Sequence, residues 1–355
     1  MLHCRWFLKQ SRTGEPLLSI DGSYGEGGGQ IVRTAVALSV LTNTPIQITN
    51  IRANRPIPGL RPQHYTAVSC VQSMCHAKTE GLSVGSSTLT FTPGTITPGS
   101  YSFDVGTAGS ITLVFQTCLL SALRATAPIT IRLKGGTDVR WAPSWDYFAH
   151  VFVPLIQKIG IKTDVQLHSR GYYPAGGGEA VLTIHPIEKL RPFQVIGPQT
   201  FSEIRGIINI ANLPDHISTR MKHAVMKTAL KHHLQAFIEV DAVTSTSSGT
   251  GIVMWSGTEE TILGADALGE KGVSAEKIGE NAITQLVQEI ASGATVDHHA
   301  IDQLLPYFAY APNGSACLVR ELSNHANTHM WLLKQFFDVT FELTQQQNIM
   351  RIAVR

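Results

Sequence analysis

One order of elements returns along this chain: strand, small-residue turn, helix, strand, helix, then two closing strands. Residues 17–95 predict it first, with strands at 17–21 and 45–51, helices at 31–41 and 63–74, and two strands ending at Gly94. Residues 99–187 repeat the course, with strands at 101–105 and 127–132, helices at 111–123 and 145–159, and closing strands ending at Pro186. A third copy follows Thr261, with helices at 273–292, 301–308 and 327–337, a strand at 317–322, and closing strands at 339–343 and 349–354. That recurrence points to an α/β (α+β) architecture assembled from like units. Residues 188–258 break the period with strands at 203–210, 237–243 and 251–255 and a helix at 216–234, and they read as a small inserted α/β domain. The expected organisation is an N-terminal extension at 1–16, a large repeat-built domain from 17–187 and 259–355, and the insert at 188–258. The turns of the copies should converge at helix starts facing one cleft, where ligands of open α/β sheets collect.

At 355 residues the chain is long enough to bury a substantial core. Its net charge of +2 neither demands nor excludes a nucleic-acid partner on a local patch. The 5 cysteines (Cys4, Cys70, Cys75, Cys118 and Cys317) form no Cys-x-x-Cys pair, which argues against a disulfide framework or structural zinc and fits a reducing cytoplasm. No stretch approaches membrane-spanning length, and 1–16 reads as a poorly ordered leader without a signal-peptide apolar block.

The turn of the first copy, Gly25-Glu26-Gly27-Gly28-Gly29-Gln30, lets backbone amides approach a phosphate closely. A dinucleotide fingerprint fails at Gln30, and no Gly-Lys-Ser/Thr occurs for a P-loop. Glu26 would repel a phosphate unless a divalent cation lay between them, so the loop suggests metal-assisted nucleotide chemistry; a ligand-free turn is the alternative.

Three further clusters carry chemistry. Arg52, Arg55, Arg61 and His64, stiffened by prolines ahead of a helix, suit polyanionic phosphates, or else form a solvated loop. His325 and His329 in Asn324-His325-Ala-Asn-Thr328-His329 stand four apart, but Ala326 replaces the glutamate of a hydrolytic zinc motif. A loop-borne imidazole there can attack phosphorus when its other nitrogen is hydrogen-bonded; a merely polar or capping histidine is the plainer reading, and His329 is expected to pack. Asp297-His298-His299 resembles a phosphoesterase signature without its other aspartate clusters, and Asp302 and Gln303 suit either caps or nucleotide contacts. Gly135-Gly-Thr-Asp138 and Tyr172-Tyr-Pro-Ala-Gly-Gly-Gly178 are two flexible turns without an evident role. His223, His232 and His233 read as a solvated helix face.

Together these features resemble the RNA 3′-terminal phosphate cyclase family over nearly all of residues 17–355. The resemblance is carried by Asp21-Gly-Ser-Tyr-Gly-Glu-Gly-Gly-Gly-Gln30-Ile-Val-Arg33, Ile51-Arg52-Ala-Asn-Arg55, Pro58-Gly-Leu-Arg-Pro-Gln63-His64, Gly106-Thr-Ala-Gly-Ser110 and Gln116-Thr117. Gly135-Gly-Thr-Asp138, Tyr173-Pro-Ala-Gly-Gly-Gly178 and Gly269-Glu-Lys-Gly-Val-Ser-Ala-Glu276 extend it. It implies a large catalytic domain of three βαβαββ-type repeats, related to the units of enolpyruvyl transferases, with a small inserted domain.

The resemblance also implies a ligase-class reaction in which ATP and magnesium or manganese adenylate a histidine, AMP passes to an RNA 3′-phosphate, and the 2′-hydroxyl closes a 2′,3′-cyclic phosphate. Pyrophosphate and AMP leave. His325 matches the family's nucleophile, with Thr328 at its usual place, and Glu26 matches the metal-coordinating carboxylate. Arg33, Arg52, Arg55, Gln63 and His64 match residues needed at the phosphates and the RNA end. Gln116, Asp302 and Gln303 match nucleotide-binding positions, and Pro143 matches one side of the adenine slot. His299 stands where many relatives carry tyrosine against the adenine, and imidazole can stack in its place. RNA with a 3′-phosphate end and ATP are the expected partners, with no membrane and a homodimer left open. Two rivals differ in kind: a non-catalytic cyclase-like RNA-binding protein of ribosome assembly, which lacks the nucleophilic histidine, and an enolpyruvyl-type transferase, which needs no His325 and Glu26 pair.

Overall fold

The structure is a computed structural model and describes residues 17–312 and 314–355; the expected extension at 1–16 lies outside them. It is a mixed α+β protein containing four sheets of four strands each among the described residues. The first sheet takes β1 (Leu18–Asp21), β2 (Ile46–Thr49), β3 (Lys78–Glu80) and β4 (Leu89–Thr92), with α1 (Gly29–Thr42) and α2 (Pro62–Cys75) between them. The second takes β5 (Gly99–Asp104), β6 (Ile129–Gly135), β7 (Thr163–Ser169) and β8 (Gly178–Ile184), with α3 (Ile111–Ser121), α4 (Trp145–Tyr147) and α5 (Val153–Lys158). Both run in the order first, second, fourth, third, the opening pair parallel and the remaining pairs antiparallel. Alternation makes the strands one-sided: in β6, Ile129, Ile131 and Leu133 are buried while Arg132 and Lys134 face out.

The chain then forms β9 (Gln194–Val195), followed by β10 (Glu203–Ala211), α6 (His216–Lys231), β11 (Gln235–Val243), β12 (Gly249–Gly257), β13 (Ile262–Leu268) and α7 (Ala275–Ser292). After these come α8 (Ala300–Tyr310), β14 (Ala316–Val319), α9 (Asn324–Phe336), β15 (Phe341–Gln346) and β16 (Ile349–Val354). β9 pairs parallel with β14, and β14, β16 and β15 continue antiparallel, so this sheet has the order and sense of the first two. Its first strand therefore precedes the β10–β13 sheet in the chain, where the sequence predicts none, because two residues carry no readable period. α7, expected with the third copy, and β13, a strand the sequence does not predict, join the β11-β10-β12-β13 sheet: β13 pairs with β12, and α7 packs on α6 and β13.

Two apolar clusters follow this division. One gathers Phe115, Phe148, Phe152, Ile301 and Phe308 with the helices of the three like sheets, and the other gathers Ile204, Ile208, Met221, Val225, Ile283 and Leu286 around the fourth. Within the first, α1 packs on α2, α3 and α9, and α8 packs on α9. The helix expected at 145–159 is interrupted by a π turn at Phe148–Phe152. Pro154 supplies the reason: without an N–H it cannot close the α-helical bond to the carbonyl of His150, and the turn widens.

Cys70, Cys75, Cys118 and Cys317 are free and buried. Among the described residues no helix is long and apolar enough to cross a membrane.

Candidate active site

The first turns of α1 and α9 meet at His325. Ser323 caps α9 by accepting from Ala326 N–H at 3.1 Å, and its hydroxyl donates to Asp302 Oδ1 at 2.7 Å, tying the start of α9 to α8. From α1, Gln30 Nε2 donates to the His325 carbonyl at 3.0 Å, which orients the amide so that Gln30 Oε1 faces His325 Nδ1 at 2.7 Å. That oxygen can only accept, so Nδ1 carries the hydrogen and Nε2 keeps its lone pair. Nε2 stands 3.2 Å from Glu26 Oε2, which Arg55 Nη2 also contacts at 3.1 Å.

Loop geometry explains how Glu26 reaches this point. Gly25 has φ +59°, and a Cβ there would come within 2.4 Å of Thr328 Oγ1, so only glycine lets the loop lie on α9. A Cβ on Gly29 would fall 1.9 Å from His64 Nε2, so the same loop also lies on α2. Tyr24 stacks on Trp331 with centroids 3.9 Å apart and pins the loop to α9.

Burial, joined by Arg33 and Arg55, takes the His325 pKa below its ordinary value against the pull of Glu26. The ring is thus neutral at pH 7, as a nucleophile requires. Arg33 lines the cavity, carries no carboxylate partner among the described residues, and is pushed down only to about 10 by burial, so it is a cation available to meet an anion. Asp302 is pushed up to about 7, chiefly by burial. His329 donates Nδ1–H to the Asp302 carbonyl and meets Thr34 Oγ1 at 2.8 Å through Nε2; burial drops it to about 3, so it packs as the sequence predicts.

A cavity of about 580 Å³ opens beside His325 and is lined by Gln30, Arg33, Gln116, Pro143, His299, Asp302 and Gln303. Gln116 donates to Gln303 Oε1, and Gln303 Nε2 reaches the His299 carbonyl at 3.0 Å. The His299 ring lies 3.8 Å from that of His298, and burial and this neighbour lower its pKa. Asp297 is no metal ligand: Oδ1 takes Tyr147 O–H and the amides of His299 and Ala300, and Oδ2 takes the amide of Gly264.

Arg52, Arg55, Gln63 and His64 do not line the cavity; Arg55 and His64 lie against Gly28 and Gly29 of the glycine loop. Arg52 Nη1 donates to the carbonyls of Ile57 and Gly59 at 2.6 and 3.1 Å, holding its own proline-rich loop in shape. Gln63 Oε1 accepts from Ser110 N–H at 3.1 Å and ties α2 to the start of α3.

Among the described residues no group of three or more His, Cys, Asp or Glu side chains could hold a metal ion alone. Magnesium beside a nucleotide asks for less, taking one or two carboxylates and the rest from phosphates and water. Glu26 fits that role: its Oε1 carries neither of its contacts, which both fall on Oε2, so it is the oxygen left for a cation.

The fold and site define a class: an α+β protein with an oriented, neutral histidine beside a carboxylate, arginines and a nucleotide-sized cavity. The family model described as RNA 3′-terminal phosphate cyclase matches residues 24–343. A protein of that name from Nitrosospira multiformis is 43% identical over 341 residues, covering 95% of this chain and 96% of its own. Likewise named proteins from Methanosarcina barkeri and Methanopyrus kandleri are 43% and 40% identical, covering 95% and 92% of this chain and 100% and 95% of their own. The chain belongs to the RNA 3′-terminal phosphate cyclase family. Among solved structures, the enolpyruvyl transferase NikO from Streptomyces tendae aligns with TM-score 0.37 at 10% identity, over 95% of this chain and 48% of that one, a likeness too weak to define the fold.

Proposed function

We propose that the protein is an ATP-dependent RNA 3′-terminal phosphate cyclase of the ligase class. The carrying observation is the tautomer of His325: Gln30 holds Nδ1–H at 2.7 Å, and Nε2 is left as the electron-pair donor. In this reading Nε2 attacks the α-phosphorus of ATP, an N–P bond forms, the bond to the β-phosphoryl oxygen breaks, and pyrophosphate leaves. An oxygen of the RNA 3′-phosphate then attacks that phosphorus and the N–P bond breaks, returning neutral His325 and giving an RNA adenylate. The 2′-hydroxyl, losing its proton, attacks the 3′-phosphorus, and AMP departs as the cyclic phosphate closes.

Arg33 and Arg55 would offset the phosphate charge, with Arg52, Gln63 and His64 shaping the wall that meets the RNA end. Gln116, Pro143, His299, Asp302 and Gln303 would hold the nucleoside. Glu26 would hold magnesium or manganese, which when bound supplies Lewis-acid charge neutralisation. The shared order and sense of three sheets supports reading them as three βαβαββ copies, and the separate apolar cluster around β10–β13, α6 and α7 supports reading that unit as the insert.

The test is incubation with ATP and an RNA ending in a 3′-phosphate. The expected product resists phosphatase and releases AMP in equal amount, and His325→Ala makes none. Cyclisation without ATP, or by His325→Ala, would overturn the reading.

A further inference from the structure

The two turns left without a role, Gly135-Gly-Thr-Asp138 and Tyr172-Tyr-Pro-Ala-Gly-Gly-Gly178, meet at Arg170. This residue is 3% exposed. Its guanidinium donates Nε to Asp241 Oδ2 at 2.7 Å, Nη1 to Asp138 Oδ2 at 3.2 Å and Nη2 to Asp146 Oδ1 at 3.0 Å. Asp138 and Asp146 flank the segment 139–143, all of which lines the cavity. Asp241 lies on β11, across the boundary between the two apolar clusters.

More bonds cross at the same place. Asn209 of β10 donates Nδ2 to Asp138 Oδ1 at 3.4 Å and to Asp146 Oδ2 at 3.3 Å, and accepts from Tyr172 O–H at 2.9 Å. The Tyr172 ring lies against Gly249 of β12. Asp266 of β13 accepts from Ser144 Oγ at 2.7 Å, and Glu270 pairs with Arg140 at 2.6 Å. The cavity wall at 139–143 is therefore held at both ends from the β10–β13 sheet, while Glu270, just beyond β13, meets Arg140 within it.

Stability is a poor account of this node. A buried ion cluster gains little over apolar packing, and here Asp138, Asp146 and Asp241 share one guanidinium, with burial pushing Asp138 up to about 6. What the cluster supplies is direction, since the planar guanidinium fixes several acceptors at once.

We propose that Arg170, together with Asn209 and Asp241, positions segment 139–143 against the bound nucleotide, so that the β10–β13 unit sets the affinity of the cavity for ATP. The inference rests on the ATP reading above. Arg170 is a positioning residue, with its node as the joint between the two apolar clusters.

The test uses the full chain with Asp241→Ala, whose half-exposed carboxylate can be removed with little risk to folding, and with Arg170→Lys, which keeps the charge but loses the fork. Hydrogen exchange of residues 139–147 is measured without nucleotide, the Kd for ATP by calorimetry, and the labelling rate of His325 at saturating ATP. We expect faster exchange at 139–147 with α1 unchanged, Kd raised about tenfold as for a displaced positioning group, and a labelling rate within about twofold of wild type. Unchanged exchange, or faster exchange with unchanged Kd, overturns the proposal. Wild-type protein that binds ATP but never labels would overturn the cyclase reading alone, with exchange and Kd still deciding the role of the node.

Discussion

His325 gains its meaning from a side chain 295 positions away: the Gln30 amide selects which ring nitrogen stays free. A second residue, Asp302, records how dry the site is. Burial, aided by Asp297 and Glu26, raises its carboxyl from an ordinary 3.8 to about 7, against the Ser323 hydroxyl. A folded-state pKa above the unfolded one means the native state holds the proton more tightly, so stability falls as pH rises from 3.8 to about 7 and is level above. Asp302→Asn should therefore gain Tm over wild type progressively across that window; a difference that does not vary with pH would show the carboxyl to be well solvated. The sequence singled out Glu26 as a carboxylate in a glycine-rich turn and Arg55 as a guanidinium in a proline-stiffened cluster, whereas for His325 a polar or capping histidine was the plainer reading and the family resemblance drew attention to it. Gln30, Ser323 and Asp297 were not assigned these roles, because an amide, a hydroxyl or a capping carboxylate is ordinary until its tertiary partner is known.

Elements bring these residues together by close approach. The start of α1 can lie on α2 only because Gly29 leaves room for the His64 ring, which accepts the Arg61 amide at 3.1 Å and cannot swing away without losing it. Gly29→Ala should cost about 1–3 kcal/mol of overpacking, seen as a lower denaturation midpoint, and should slow labelling of His325 by displacing Gln30. Wild-type stability and rate in that variant would mean the loop relaxes freely. Long periodic helices such as α2 and α7 were readable to within a residue or two. β9 was not, because pairing with β14 and not its own pattern makes it a strand. The π turn at Phe148–Phe152 escaped for the same kind of reason: Pro154 was visible, but whether it ends, kinks or widens a helix depends on the packing of Phe148 and Phe152 in the core.

At the scale of the molecule, one strand order recurs in three sheets and the fourth sheet stands on its own apolar cluster. The returning order of elements read from the sequence is compatible with that strand order in the first two sheets, while its third copy begins too late to include β9. The attachment of β13 and α7 was not legible, since an amphipathic helix does not declare which apolar surface covers it, and α7 meets α6 across the break in period. Five helices, α1, α3, α4, α8 and α9, supply residues to the cavity beside His325. In the proposed reading, the whole arrangement presents one neutral imidazole nitrogen to a nucleotide phosphate. Its most direct test is to incubate the protein with ATP labelled at the α-phosphate and magnesium or manganese, then denature it and look for bound label. The account predicts an acid-labile label on wild type and none on His325→Ala; label that survives in His325→Ala, or its absence from wild type with either metal, would contradict it.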